Sequence, residues 1–178
     1  MKFKSINILT AFALTAAIAL TACSKDDGAI PKRIGIEDVP ALTMNLEPEK
    51  LNNRDTIRLT TQATFSTKFK VAMIFPGQVT PKKVDIVVRK NGLASNVKVY
   101  KAGITAFPTS FTITAAEIAT LFGAPLAASD TYDFAPDIYV GEKKYEVFPA
   151  VGLGNGAGVT GMNGIGYYEF VRIMVRAS

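Results

Sequence analysis

The sequence predicts an all-β protein, an immunoglobulin-like antiparallel β-sandwich with one short helix. From residue 55 onward, short segments alternate β-branched or aromatic residues with polar ones, as half-buried strands do. About seven to nine such segments follow at short spacing, with a single helical segment among them. The chain lacks the repeated strand–helix–strand order of a doubly wound parallel sheet. A two-layer sandwich is therefore the predicted architecture.

The predicted strands end at turn residues and prolines. They are 56–65, 69–75, 83–89, 96–100, 107–114, 131–134, 137–140, 144–148 and 167–175. The strongest turn signal is Asn91-Gly92, which predicts a hairpin between the third and fourth of these strands. The connection from Asn91 to Ser95 is long enough for a loop wider than a two-residue turn.

One helix is predicted from a local motif. The stretch from Thr114 to Glu117, Thr-Ala-Ala-Glu, is a capping box in which the two side chains bond each other's backbone amides. Gly123, followed by Pro125, ends the helix after about two turns. Its apolar side chains, expected to plug one end of a sheet, are Ile118, Leu121 and Phe122.

The first residues predict a lipoprotein signal peptide. Lys2 and Lys4 precede an apolar run, 6–20, that is too short and wrongly flanked for a spanning helix. Small residues then lead to Cys23, the only cysteine in the chain. We expect cleavage after residue 22 and a lipid on Cys23. The alternative is an ordinary signal peptide in which Cys23 is an incidental free thiol.

The domain organisation follows from this cleavage. Residues 1–22 are assigned to the signal peptide, 23–54 to the lipidated cysteine and a proline-containing linker, and 55–178 to a single β-sandwich domain. Removing Lys2 and Lys4 lowers the formal net charge from +5 to +3. This weak and scattered positive charge does not favour a nucleic-acid partner.

The residues behind Cys23 resemble a known export signal. Bacteroidota surface lipoproteins carry a lysine and two acidic residues directly after the lipidated cysteine, and this chain has Lys25, Asp26 and Asp27 there. The resemblance implies a lipid-anchored protein of the outer membrane that faces the cell exterior. A plain acidic tether is the alternative interpretation.

The composition excludes several kinds of catalysis. The chain has no histidine, and its one cysteine is expected to carry lipid, which removes Ser-His-Asp and Cys-His mechanisms and the usual zinc sites. A glycosidase needs only two carboxyl groups. The candidates are Asp85, Glu117, Asp130, Asp133, Asp137, Glu142 and Glu146. Because scattered carboxylates are usually solvated, we predict no catalytic residues, no cofactor and no enzyme activity.

The densest acidic run, from Asp130 to Asp137, contains the oxygen ligands that a calcium site uses. The run lacks the ligand order, the central glycine and the terminal glutamate of an EF-hand. A turn in which Asp130 bonds its own backbone is the preferred interpretation. We therefore predict no metal site.

The stretch from Gly152 to Gly166 contains a G-x-G-x-x-G pattern at 156–161. A dinucleotide loop needs a helix directly after it, whereas strand-forming residues follow here, so no nucleotide ligand is expected. A glycine-rich connection this long is typical of a contact loop. The predicted ligand-binding residues at this loop are Asn155, Asn163, Tyr167 and Tyr168. As neighbours in a strand, one of the two tyrosines should be exposed.

Sugar binding by aromatic stacking was considered for all the downstream tyrosines, because the chain has no tryptophan. They are Tyr132, Tyr139, Tyr145, Tyr167 and Tyr168. At a period of two, some of them must face the core.

The segment 84–148 resembles small accessory lipoproteins of Bacteroidota glycan-uptake systems of the starch-utilisation type. The resemblance lies in Val-Asp-Ile-Val-Val-Arg from Val84, Phe-Pro-Thr from Phe107, the capped helix, and Asp-Thr-Tyr-Asp-Phe from Asp130. It implies a non-catalytic surface protein that binds a polysaccharide or belongs to an outer-membrane transporter complex. The alternative is a structural, adhesion or assembly module that binds a protein partner.

Overall fold

The computed structural model describes residues 39–77, 79–154 and 166–178, all within one compact unit, Asp38–Ser178. The strands are β1 (Leu42–Glu47), β2 (Arg54–Arg58), β3 (Ser66–Met73), β4 (Lys83–Lys90), β5 (Val97–Ile104), β6 (Thr109–Thr114), β7 (Thr131–Val140), β8 (Lys143–Tyr145) and β9 (Val171–Arg176). The helix α1 spans Ala115–Phe122, and short 3-10 turns cover Leu51–Asn53, Leu59–Thr64 and Ala94–Asn96.

The strands form two sheets, which confirms the predicted all-β sandwich with one short helix. The smaller sheet has the order β1-β3-β6, and the larger one the order β2-β9-β7-β4-β5, with β8 beside the second half of β7. One detail of the prediction is wrong, because β2 and β9 pair in parallel. A parallel pair needs a long crossover, and here the strands β3 to β8 and the helix lie between β2 and β9 in the chain.

The core lies between the sheets and is built from alternate residues of facing strands. Phe69 of β3 is fully buried, with its ring centroid 5.6 Å from Phe134 of β7 and 5.9 Å from Phe111 of β6. Val84, Ile86 and Val88 of β4 are buried in the same cluster. Removal of this apolar surface from water is the main stabilising contribution to the fold.

The folded part begins earlier than the sequence indicated. The predicted linker, 23–54, contains β1, which pairs with β3 along its whole length. Leu42, Met44 and Leu46 are buried in the core, so this strand follows the period-two rule. It was missed because it is short and lies between two prolines, Pro40 and Pro48.

Other predicted strand boundaries also change, and the predicted strand 144–148 ends at Tyr145. The segment predicted as one strand, 56–65, leaves the sheet after Arg58 and continues as 3-10 turns. The segments predicted as two strands, 131–134 and 137–140, form the single strand β7. Pro136 is accommodated because it lies between the residues of β7 that pair with β9 and those that pair with β8.

The predicted helix is confirmed, together with its cap. The Glu117 amide donates to Thr114 Oγ1 at 3.2 Å, and the Thr114 amide donates to Glu117 Oε2 at 2.7 Å. Gly123 ends the helix with φ of 66°, a left-handed conformation that favours glycine. Ile118 is fully buried, and the Phe122 ring lies 5.2 Å from that of Tyr132.

Removing the cap should cost a measurable fraction of the stability. We expect Thr114→Ala to lower the free energy of unfolding by about 1 kcal/mol, because the Glu117 amide loses its acceptor. Urea unfolding followed by circular dichroism measures this. Thr120→Ala, on the exposed side of the same helix, controls for helix propensity, and equal stability of the two variants would contradict the role of the cap.

Candidate binding surface on the larger sheet

The outer face of the larger sheet is covered by the segment that follows β8. On this face β4 and β7 place Arg89 opposite Asp133, Val87 opposite Ala135 and Asp85 opposite Asp137. Val147 and Phe148 of the covering segment pack against Val87 and Ala135 as a second apolar cluster. The covering segment, defined here as 146–154, is therefore held to the sheet by apolar contact.

A buried carboxylate lies at the centre of this face. Asp133 is fully buried and accepts from Arg89 Nη2 at 3.0 Å, from Arg172 Nε at 2.6 Å and from Arg172 Nη2 at 3.0 Å. The Arg89 guanidinium also stacks on Phe148, 3.9 Å from the ring centroid. Strands β4, β7 and β9 and the covering segment thus meet at one charged cluster.

Asp137 joins the covering segment to β7. Its carboxylate accepts from the Val147 amide at 2.9 Å and from Lys144 Nζ at 2.9 Å. Burial alone would lower the pKa of Lys144, but hydrogen bonds and charge interactions with Asp137 and Glu146 raise it overall. Lys144 therefore stays protonated throughout the physiological range.

Asp85 connects β4 to β5 at an irregular part of the sheet. The register between these strands shifts on both sides of Ile86. Asp85 Oδ1 accepts from the Gly103 amide at 2.7 Å in this region. The carboxylate thus satisfies a backbone donor of a strand whose ladder is irregular.

Asp130 forms the turn that the sequence predicted. It accepts from the Ala127 amide at 3.1 Å, and also from Asn91 Nδ2, Tyr132 Oη and Lys90 Nζ. Burial opposes its ionisation, but these donors lower the pKa of Asp130 overall. The described residues contain no group of three or more His, Cys, Asp or Glu side chains arranged to hold a metal ion.

Below about pH 9, the stability should fall only on the acid side. The pKa values of Asp85, Asp130 and Glu47 are lowered from 3.8, 3.8 and 4.5 by their hydrogen-bond donors, in each case against the effect of burial. Their contribution is therefore fully present above these unfolded values and lost as the pH falls through the folded ones. With no histidine in the chain, we expect a plateau from roughly pH 5 to pH 9.

Urea unfolding across this range, followed by circular dichroism, checks the expectation. Asp130→Asn should make the acid limb shallower, because one depressed carboxyl group is removed. The same acid slope in the parent and the variant would contradict the assignment.

Three adjoining depressions surround the covering segment. They measure about 340, 260 and 300 Å³, and each is lined in part by residues between Lys144 and Gly154. The depression of about 260 Å³, here called the β5 groove, lies between β5 and the covering segment. Its main lining residues are Val97, Val99, Lys144, Glu146, Phe148 and Ala150.

Aliphatic side chains near these depressions are unusually exposed. The exposed fractions are 55% for Leu93, 52% for Val99, 88% for Val151 and 89% for Leu153. Among the described residues, the exposed aromatic side chains are Phe75 and Tyr167, at 50% and 39%. Neighbouring exposed aliphatic residues mark an interaction surface more often than isolated ones do.

Gly154 ends the described part of the covering segment and packs closely on its start. A Cβ atom built on Gly154 would lie 1.9 Å from the Val147 carbonyl oxygen. Any other residue would force the two backbones apart, so the depression of about 300 Å³, which both residues line, depends on this glycine.

Two of the four predicted ligand-binding residues lie within the part of the chain that the structure describes. Asn155 and Asn163 lie outside the described residues, as do Cys23 and the export-signal residues Lys25, Asp26 and Asp27. Tyr167 is exposed and Tyr168 is half-buried. Neither lines any of the three depressions given above.

The predicted strand 167–175 begins only at Val171, so the two tyrosines precede β9. The Met44 amide donates to the Tyr168 carbonyl at 2.8 Å, and the Tyr168 amide donates to Asn45 Oδ1 at 3.3 Å. These bonds hold the stretch along the free edge of β1 in the smaller sheet. The stretch therefore crosses between the sheets before β9 starts.

The sequence did not indicate the residues that line the β5 groove. Val97 and Val99 were assigned only to a strand, and Phe148 only to a strand end. One signal in the sequence could have indicated a segment packed on the sheet. The residues after β8 include four large apolar ones, which are more than a short edge strand would bury: Val147, Phe148, Val151 and Leu153. Tyr132, considered for sugar stacking, is fully buried in the core.

Comparison of the chain with family models, curated proteins and solved structures finds no match. No helix in the described residues is both long enough and apolar enough to cross a membrane.

Proposed function

We propose that this chain is a lipid-anchored, non-catalytic accessory protein that faces the cell exterior and acts by binding within a glycan-uptake complex. One observation supports the proposal that the protein is not an enzyme. Each of the seven carboxylates considered for catalysis is engaged by a cation or a backbone amide. They are Asp85, Glu117, Asp130, Asp133, Asp137, Glu142 and Glu146.

This engagement bears on mechanism because a glycosidase needs two carboxyl groups facing a common cleft, one of them protonated at working pH. Here Asp133 and Asp137 are buried under the covering segment, and Glu117 bonds the helix N-terminus. The depressions beside them are shallow and lie over a packed face. The arrangement supports binding to the surface rather than bond cleavage.

The exposed aliphatic residues favour a protein as the ligand. Leu93, Val99, Val151 and Leu153 offer methyl groups rather than rings, and sugar platforms are usually aromatic. The proposed accessory role is therefore contact with another protein of the uptake complex. Anchoring through Cys23, with the export signal behind it, would hold this surface near membrane-bound partners.

The location is tested on intact cells. We expect mild protease treatment to digest the protein together with a known surface protein, while a periplasmic control is spared. Replacement of Lys25, Asp26 and Asp27 by alanine should keep the lipid on Cys23 but move the protein out of reach of the protease. Full protection of the unaltered chain would overturn surface display.

Glycan binding is the second candidate, and the exposure of Tyr167 favours it. The next residue, Tyr168, bonds Met44 and Asn45 at the edge of the smaller sheet, which also carries Glu47 and Ser110 as hydrogen-bonding groups. A panel of polysaccharides in affinity electrophoresis separates the two candidates. Retention that is lost in Tyr167→Ala but kept in Tyr145→Ala would favour the glycan, and no retention on any polysaccharide would favour the protein partner.

A further inference from the structure

The edge of β5 is the longest open strand edge of the larger sheet. In the described chain β5 pairs with β4 alone, although it spans eight residues. Five of those eight are exposed. The other terminal strand of this sheet, β2, has five residues. An open edge offers a row of backbone donors and acceptors to another extended chain.

Cations lie along this edge without acidic partners. Lys98 Nζ lies 5.7 Å from the centroid of Phe122, and Lys101 Nζ lies 5.0 Å from that of Phe111. Neither ammonium group forms an ion pair with a carboxylate of the described residues. The β5 groove is lined by Val97 and Val99 of the same strand and also by Lys98, which lies between them.

The side chains of β5 determine which residues a strand added at its open edge should have. Successive side chains of a strand alternate between its two faces, and directly opposite pairs contact each other. A strand beside β5 would meet Val97 and Val99 on the groove side. On the other side it would meet Lys98 and Lys101, which pair with Val88 and Ile86, two residues of the core. The register shift between Ile86 and Val87 puts both lysines on this side although they are three residues apart. Alternating apolar and acidic residues therefore fit this edge.

A second copy of the chain fits it poorly. In an antiparallel pair of two β5 strands centred on each other, the lysines of one copy would lie opposite or diagonal to those of the other. Like charges in such positions are destabilising. Lysines on an edge strand commonly prevent self-association in this way.

We propose that β5 binds an extended segment of a partner protein, with alternating apolar and acidic residues, as an added strand. The inference rests on the proposed accessory function and names the class of partner segment. Main-chain hydrogen bonds would supply affinity, and the lysines and the β5 groove would supply selectivity.

The probe is a short capped peptide of alternating valine and glutamate, titrated into the purified full chain with fluorescence anisotropy as the readout. We expect binding that weakens as salt is added. We expect about tenfold weaker binding to the double variant Lys98→Glu/Lys101→Glu, from two lost cross-strand charge pairs. The matched control, Arg54→Glu/Arg58→Glu, places the same charge change on β2 and should bind like the parent.

Two further peptides distinguish strand addition from simple attraction of charge. A peptide with lysine in place of glutamate should bind only the double variant on β5. A peptide with proline in place of valine keeps the charge but loses every second backbone donor and has φ fixed at about −65°, which strand pairing disfavours, so it should bind much more weakly.

Amide hydrogen exchange should show slower exchange in 97–104 when the first peptide is bound. Equal binding of the proline peptide would overturn strand addition. A concentration-dependent dimer with protected β5 amides and no peptide present would also overturn the proposal. Failure of the peptide experiments would not contradict surface display or lipidation, because those are tested separately on intact cells.

Discussion

Replacing Asp133 by alanine is expected to lower the free energy of unfolding by about 3 kcal/mol. The side chain is fully buried and accepts three hydrogen bonds from Arg89 and Arg172, whose own side chains are 24% and 29% exposed. Without the carboxylate, two mostly covered guanidinium groups remain next to each other with no counter-charge. Urea unfolding at neutral pH measures the loss.

The matched control is an ion pair at the surface of the same sheet. Glu142 pairs with Lys82, and its side chain is 93% exposed. Glu142→Ala should leave the unfolding midpoint unchanged, because solvent already screens this pair. If Asp133→Ala and Glu142→Ala lowered the free energy of unfolding equally, burial would not explain what the Asp133 cluster contributes to stability.

Asn53→Ala is expected to lower the free energy of unfolding by about 2–4 kcal/mol. Asn53 is 3% exposed. Its Oδ1 accepts from the Leu46 amide at 2.8 Å, and its Nδ2 donates to the carbonyls of Met44 and Phe170 at 2.7 Å each. One amide side chain thus joins β1 of the smaller sheet to the residue that precedes β9 of the larger one. Alanine would leave these buried backbone groups unpaired.

The neighbouring residue provides the control for backbone conformation. Asn52 has φ of 53° and Asn53 has φ of 54°, so alanine is strained at both positions. Asn52 is exposed. The difference in unfolding free energy between Asn52→Ala and Asn53→Ala therefore reports the hydrogen bonds alone. If thermal unfolding gives the same midpoint for both variants, strain accounts for the whole effect.

Features encoded over a few residues were predictable from the sequence. The cap at Thr114 and the stop at Gly123 each depend on residues within one helical turn, so the helix was located correctly. The Asn91-Gly92 turn and the strand β4 follow in the same way from local pattern. The alternation of apolar and polar residues also predicted the sandwich, because strands with one apolar face must pack that face against a second layer.

Features that depend on pairing between distant segments were not predictable. Arg89, Asp133 and Arg172 come together only because β7 lies between β4 and β9, and no local pattern fixes that order. Asn53 looked like part of a polar linker until its partners on β1 and at Phe170 were known. The β5 groove likewise needs the covering segment to fold back over the sheet, which depends on contacts far apart in the chain.

The parallel pairing of β2 with β9 has a consequence for how the protein folds. Arg54 lies opposite Arg172, so this edge of the larger sheet cannot form until nearly all of the described chain is available. Contacts at such long sequence separation form late and slow the overall reaction. A chain exported before folding, as the proposed lipid-anchored function requires, would benefit from this delay. Its last strand would complete the sheet only after translocation.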